Sequence, residues 1–198
     1  WTDKQIFEFA SELRKESKPM IIAANKSDMP NSQENIKRMQ DEFSDYLIYP
    51  CSADSELALR EAAKANLIEY IPGNKDFKIN EGSKLNSKQK EALMKINENV
   101  LKVYQGTGIQ EILNVAVFDL LKHIAIFPAG AHKLADSKGQ ILPDCFLMPE
   151  GSTALDFAYY LHTDFGKNFV KAIDARSKRA LGKDYKLKHR DGIEIVVR

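Results

Sequence analysis

Only two cysteines, Cys51 and Cys145, occur in the 198 residues, and they lie far apart. This excludes a disulfide framework and the paired spacing of a zinc site, and it suits a reducing cytosol. Both sit in apolar runs with no histidine close in sequence, so buried structural thiols are expected. No apolar run approaches the roughly 18 residues of a membrane span, and no signal-peptide pattern opens the chain. A soluble, cytoplasmic protein with no membrane partner is the expectation. Charge of one sign is lacking too. The net charge is +1, so any charge argument must be local. The four histidines, His123, His132, His162 and His189, have no metal-binding spacing, and no catalytic or metal-ligating residue is assigned. His162, on the apolar side of a short expected helix, reads as a core histidine. Trp1 and the pair Tyr159 and Tyr160 read as packing residues. A hydrophobic share of 43% and a charged share of 29% suffice for a sizeable core in one domain or two.

The glycine loop Gly-x-x-x-x-Gly-Lys-[Ser/Thr], whose backbone N–H groups cradle phosphates, is also missing. Gly166-Lys167 and Gly182-Lys183 are preceded five residues earlier by Leu161 and Ser177, and followed by Asn168 and Asp184, so neither fits. Asp136-Ser-Lys-Gly139 imitates an Asp-x-x-Gly magnesium loop, but it reads as a hydrophilic turn.

What is present centres on Pro19-Met-Ile-Ile-Ala-Ala-Asn25-Lys26-Ser27-Asp28. A short apolar run, fit for one buried strand, ends in a polar loop, where open α/β sheets place ligands. Asn-Lys-x-Asp there suits a guanine base. A carboxylate at Asp28 only accepts hydrogen bonds, and guanine offers two adjacent donors, N1–H and the 2-amino group. Adenine would leave that carboxylate unpaired, a mismatch of several kcal/mol. Asn25 can donate to a base nitrogen and tie loops together, and the Lys26 stem can lie along the base plane. The same residues also suit an ordinary surface turn. A second strand, Tyr46–Cys51, runs into Ser52-Ala53.

The surrounding pattern is helical, then mixed. Thr2 and Gln5 form a capping box before a helix with Ile6, Phe9, Ala10 and Leu13 on one face. Residues 31–44 read as a helix opened by Asn31 and Glu34, with Ile36, Met39 and Phe43 inward. This strand–helix–strand unit favours a parallel sheet. Leu57–Ala63 favours helix, broken at Ile71-Pro-Gly-Asn74. Ser87 starts a helix with Leu93, Ile96, Val100 and Val103 on one face. Thr107 and Gln110 cap another that runs to Leu121. Residues 54–105 therefore read as a helical insertion, and Pro128-Ala-Gly130 as the border of a last domain. There His123–Phe127 and Cys145–Met148 read as strands, and Gly151-Ser-Thr153 caps a helix. Phe169–Ile173 reads as a further strand. Tyr185–His189 and Ile193–Val197 read as a hairpin around Arg190-Asp-Gly192. The order describes a β-grasp.

The pairing of Asn25-Lys-Ser-Asp28 with Ser52-Ala53 resembles the guanine-specificity motifs of P-loop GTPases. Phe146-Leu-Met-x-x-Gly151-Ser-Thr153, Asp156-x-Ala158-x-x-x-His162-Thr-Asp164-x-Gly166 and Arg190-Asp191-Gly192 resemble a TGS domain. Together they resemble the Obg-type GTPases with a C-terminal TGS domain, above all archaeal members related to the YchF and DRG branches. The resemblance implies an α/β partial P-loop GTPase fold with a parallel sheet and a helical insertion, plus a ubiquitin-like β-grasp. Residues 1–53 and 106–124 would be the back half of a GTPase domain, 54–105 the insertion and 125–198 the TGS domain. Asn25, Lys26, Asp28, Ser52 and Ala53 would bind guanine, with the Ala53 N–H on the guanine oxygen. Many YchF-branch proteins have an altered base-reading motif and accept ATP. This chain keeps Asn-Lys-x-Asp, which implies GTP. GTP or GDP with Mg2+ would serve the intact parent, whose phosphate-handling parts would lie upstream of Trp1. This chain alone is expected to bind nucleotide weakly and to be inactive.

The resemblance further implies a role in translation, with the ribosome or RNA as partner. From residue 167 onward ten Lys or Arg face four Asp or Glu, a net +6. Lys171, Arg176, Lys178, Arg179, Lys186, Lys188 and Arg190 are the RNA-binding candidates. A solvated polar sheet face gives the same pattern, and an open β-grasp edge suits a protein partner by strand addition.

Overall fold

The computed structural model describes residues 1–130, 139–141 and 144–198. The Asp136-Ser-Lys-Gly139 turn, except for its glycine, and His132 lie outside the described residues. The chain divides into two compact units, Trp1–Ala116 and Val117–Arg198.

The first unit opens with α1, Asp3–Ser17, closed at its start by the expected Thr2–Gln5 capping box. None of its residues is buried: Ile6, Phe9 and Leu13 are at least half exposed, so the expected apolar face is uncovered here. Strand β1, Ile21–Ala24, leads through α2, Ser32–Glu42, to β2, Leu47–Pro50. β1 and β2 pair in parallel, with Ile22 opposite Ile48 and Ala24 opposite Pro50. Buried Ala24, Ile36 and Ile48 pack with Ile22, Met39 and Tyr46, which fixes α2 against the strands. Phe43 remains exposed, contrary to its place in the apolar pattern, because α2 has already ended at Glu42.

α3, Ala53–Lys64, starts directly at the Ser52 N-cap. It ends well before Pro72, because the chain turns at Asn66, whose φ is +55°. β3, Ile68–Glu69, then pairs antiparallel with β4, Lys78–Ile79. α4 starts at Ser87 as expected and runs to Ile96, capped by Asn86, which exchanges both capping bonds with Gln89. It continues as a π-helical turn, Asn97–Leu101, and α5, Lys102–Tyr104. Leu59, Ile68, Leu85, Leu93 and Leu101 form the core that joins these pieces. α6, Ile109–Asn114, continues as π-helix over Val115–Leu120.

Among the described residues the second unit holds a five-stranded mixed sheet. Its strands are β5, His123–Pro128; β6, Phe146–Pro149; β7, Phe169–Asp174; β8, Ala180–Leu181; and β9, Asp191–Val197. Their order is β6-β5-β9-β7-β8, with β5 and β9 parallel in the middle. α7, Ala154–Leu161, carries fully buried Ala154, Phe157 and Ala158. Phe157 packs with Ile124, Ile126, Met148, Ala172 and Ile193, so α7 covers one sheet face. This is the β-grasp arrangement. α8, Thr163–Lys167, follows, with Gly166 where any Cβ would collide with the Tyr159 ring.

Three expectations need correction in this unit. Tyr185–His189 is not a hairpin strand: Leu187 and Ala154 donate backbone bonds across to Ser152 and Tyr185, and only Lys186 bridges Thr153. β9 takes β5 and β7 as neighbours instead. His162 is not a core residue; its side chain is 62% exposed, and its Nδ1 accepts from the Asp164 N–H at the start of α8. Cys145 is exposed because it precedes β6, whereas Cys51 is buried as expected. Among the described residues no helix is long and apolar enough to cross a membrane.

Candidate functional site

The parallel register of β1 and β2 ends both strands at the same level, so their following loops leave side by side. Backbone bonds then lace them: Cys51 N–H donates to the Ala24 carbonyl, and Ser27 N–H to the Cys51 carbonyl, each at 3.0 Å. The turn requires Lys26 in the left-handed region, φ +66°, which throws its exposed side chain away from the core.

Side chains add two further links. Asn25 Oδ1 accepts from the N–H groups of Lys26 (2.8 Å) and Ala53 (3.1 Å). The Ser52 hydroxyl is 2.7 Å from Asp28 Oδ1 and 2.7 Å from Ser55 Oγ. A carboxylate can only accept, so the single Ser52 proton goes to Asp28 and Ser52 Oγ accepts from Ser55. Ser52 is buried, while Asp28 is half-buried. The second carboxylate oxygen and the Asn25 amide N–H groups stay available to a ligand. The Ala53 N–H, expected on a guanine oxygen, already serves Asn25; a base oxygen would share that donor or take it.

A third loop closes the corner. Ser52 N–H donates to the Thr107 carbonyl at 2.9 Å. Thr107 does not cap α6 as the Thr107–Gln110 spacing suggests. Its hydroxyl donates to Glu56 Oε2, 2.7 Å away, and Gly108, φ +81°, takes the cap position. Gly108 lies so close to β2 that any Cβ would strike the Pro50 carbonyl oxygen. Asn31 likewise makes no side-chain cap bond to α2, because its own φ is +63°. Ser32 Oγ instead donates to the Ser27 carbonyl, which Tyr104 OH also approaches at 3.3 Å.

Glu56 was not legible as part of this corner. It is 5% exposed and accepts from Arg60 Nε (2.6 Å), Tyr70 OH (2.7 Å) and Thr107. Burial pushes its carboxyl up, but the bonds from Thr107, Arg60 and Tyr70 and the Arg60 charge outweigh that and hold it below the ordinary glutamate range. Burial first, then Glu56, pushes Tyr70 up to about 12.

A cleft of about 450 Å3 opens beside Asp28, lined also by Ser27, Ser32, Asn99 and Val103. Asn25, Lys26 and Ala53 are not part of its lining, so it adjoins the corner built by the two loops without including it. No cluster of three or more His, Cys, Asp or Glu among the described residues is placed to hold a metal.

The seven basic candidates of the second unit are all exposed. They do not form one sheet face. Arg176 Nη2 donates to the Arg190 carbonyl at 3.3 Å, which brings the turn after β7 beside the turn before β9. Lys178 and Arg179 belong to that first turn and Lys188 to the second, whereas Lys171 stands on β7. Lys186 lies apart, its Nζ donating to the Gly151 carbonyl at 2.6 Å.

Residues 23–130 match the family described as Obg-like GTPase YGR210-like, G4 motif-containing domain. The chain belongs to the Obg-like GTPases. Residues 133–197 of this Obg-like chain match the TGS domain. A GTP-binding protein of Methanocaldococcus jannaschii is 48% identical over 197 residues, 99% of this chain and 49% of the relative. The crystal structure of a GTP binding protein from Pyrococcus horikoshii OT3 superposes with TM-score 0.69 at 44% identity, over 100% of this chain and 51% of that one. The Schizosaccharomyces pombe YchF GTPase, at TM-score 0.52 and 15% identity, covers 99% of this chain and 48% of its own; it shares the fold. The Obg-like chain thus spans about half the length of the relatives it matches.

Proposed function

We propose that Asn25, Lys26, Asp28, Ser52 and Ala53 form the guanine-recognition corner of a GTP-binding protein. The observation that carries this reading is the Ser52–Asp28 hydrogen bond, which aims a carboxylate from one strand end with a serine from the next. Asp28 accepts from guanine N1–H and the 2-amino group, Asn25 donates to a base nitrogen, and the Lys26 stem lies along the base. The donor set fits guanine and repels adenine. The relatives named as GTP-binding support the same assignment. GTP or GDP bound with Mg2+ is the ligand of the intact protein. Hydrolysis there is a matter of positioning phosphates and metal, which lies outside this corner. Residues 1–53 and 106–124 act as the base-reading part, 54–105 as a helical insertion packed on Leu59, Leu85 and Leu93, and 125–198 as the TGS domain. The test is calorimetric titration of the intact protein with GDP and ADP. GDP binding with ADP rejected is expected; equal affinities would overturn the assignment.

A second reading concerns the TGS unit, proposed as an RNA-facing module that links the protein to the ribosome. It rests on Arg176 and Arg190, whose turns meet on the surface with Lys178, Arg179 and Lys188 nearby in sequence. Co-sedimentation with ribosomes across a salt series tests it, with steep loss at high salt expected. Absence of binding at low salt would transfer the surface to a protein partner.

A further inference from the structure

Glu56 is a buried carboxylate whose hydrogen bonds converge from three separate places. Arg60 reaches it from the same helix, Tyr70 from just after β3, and Thr107 from the loop before α6. The arrangement is costly unless every lone pair is used, because removing one donor leaves a buried charge underpaired. Thr107 is the hinge of the arrangement. Its hydroxyl is held by Glu56, and its carbonyl receives the Ser52 N–H. Ser52 in turn orients Asp28. An unbroken set of hydrogen bonds therefore runs from Tyr70, through Glu56, Thr107 and Ser52, to the base-reading carboxylate. A second tether reaches the same loop, from Tyr104 OH to the Ser27 carbonyl.

We infer that Glu56, with Thr107 and Tyr70, is a positioning constellation for base specificity, so that the segment carrying Tyr70 and guanine occupancy are energetically linked. The inference rests on the guanine reading of Asp28. Glu56 and Thr107 never touch the base. They set where the Ser52 hydroxyl stands, and thereby how sharply Asp28 distinguishes a purine with a 2-amino group from one without. Binding that tightens the corner stabilises the packing around Tyr70, and loosening that packing weakens binding by the same factor.

The experiment measures dissociation constants of the intact protein for GDP and for inosine diphosphate, which lacks the 2-amino group. Thr107→Val and Glu56→Gln are expected to weaken GDP about tenfold and to shrink the preference for GDP over inosine diphosphate. Thr107→Ser, which restores a hydroxyl, is expected to recover both. Ile193→Ala, in the separate core of the second unit, controls for simple destabilisation: its melting temperature falls while the preference stays at the unmodified value. Lower melting temperatures for Thr107→Val and Glu56→Gln with an unchanged preference would overturn the inference. Asp28→Ala separates the two levels. If it abolishes the preference while Thr107→Val does not, only the positioning role falls. If Asp28→Ala leaves the preference intact, the guanine reading falls and takes this inference with it.

Discussion

The Ser52 hydroxyl donates to Asp28 Oδ1 across 2.7 Å, joining residues 24 positions apart in sequence. The bond exists because β1 and β2 pair in parallel and end together at Ala24 and Pro50. Carboxylate orientation is therefore a property of two strand ends and the helix between them, not of one loop. Ser52 does a second task, since its Oγ accepts the Ser55 N–H at 3.4 Å as the cap of α3.

Because of that double role, Ser52→Ala should lower both stability and GDP affinity. Loss of the cap costs about 1 kcal/mol. Loss of a hydrogen bond to a charged group costs about 1.5–3 kcal/mol in binding. Asp28→Ala should lower affinity with little change in melting temperature. Thermal melting alongside calorimetry of the two variants distinguishes them; unchanged binding in Ser52→Ala would contradict the shared role.

Lys26 allows backbone and side-chain contributions to be separated. Its φ of +66° costs a non-glycine residue about 1–2 kcal/mol, which glycine avoids at an entropic cost of similar size. Lys26→Gly should keep stability within about 1 kcal/mol of the unmodified protein yet weaken GDP binding, because the stem proposed to lie along the base is gone. A strong loss of stability would show that the Lys26 side chain has a structural role.

Gly108 tests the third loop. A Cβ at φ +81° would strike the Pro50 carbonyl oxygen, a backbone atom with little room to move. Gly108→Ala should destabilise by about 2–4 kcal/mol. Chemical denaturation reads the effect directly, and a change below about 1 kcal/mol would mean that the loop has an alternative path.

The buried network makes a signed pH prediction. The folded pKa of Glu56 is below its unfolded value, so the folded state binds fewer protons there. Its stabilising contribution is full above the unfolded pKa and is lost as pH falls through the folded one. Tyr70 behaves in the opposite sense: with a folded pKa of about 12, its contribution is full below the unfolded value of about 10 and is lost as pH rises toward 12. Melting temperature against pH should lose part of its acid limb in Glu56→Gln and part of its alkaline limb in Tyr70→Phe. Limbs identical to the unmodified protein would show that neither group is linked to folding.

On the TGS unit, charge reversal at Arg176 and Arg190 should weaken RNA binding and flatten its salt dependence, by roughly one unit of slope for each phosphate no longer neutralised. Lys186→Glu should have a smaller electrostatic effect because its ammonium already faces the Asp156 carboxylate. Equal effects from both sites would restore the picture of one continuous basic face.

The local patterns with a short-range cause were legible. Thr2 and Gln5 cap α1, Thr153 caps α7, and the Ile-rich run of β1 ends at the expected polar loop. The failures came from long-range competition. Thr107 has capping spacing, but a buried carboxylate 51 residues away takes its hydroxyl. Arg190-Asp-Gly192 looks like a hairpin turn, but Asp191 Oδ2 accepts from the Lys188 N–H and Tyr185 OH, and the strand after it enters beside β5. His162 shares the period of the apolar face of α7, yet α7 stops at Leu161 and the ring caps the next helix. The residues proposed to read the base could be named from the sequence because their chemistry is local. Their support from Glu56 could not, because Thr107 and Tyr70 become its neighbours only in the folded chain.

The most direct test of the central claim is Asp28→Asn in the intact protein, titrated with GDP and with xanthosine diphosphate. Xanthine carries an oxygen where guanine has the 2-amino group, and an asparagine amide can donate to that oxygen where a carboxylate cannot. The variant is expected to lose GDP affinity by about tenfold or more, roughly one charged hydrogen bond, and to gain affinity for xanthosine diphosphate. Unchanged GDP affinity, with no gain for the xanthine nucleotide, would contradict the assignment of Asp28 to the base.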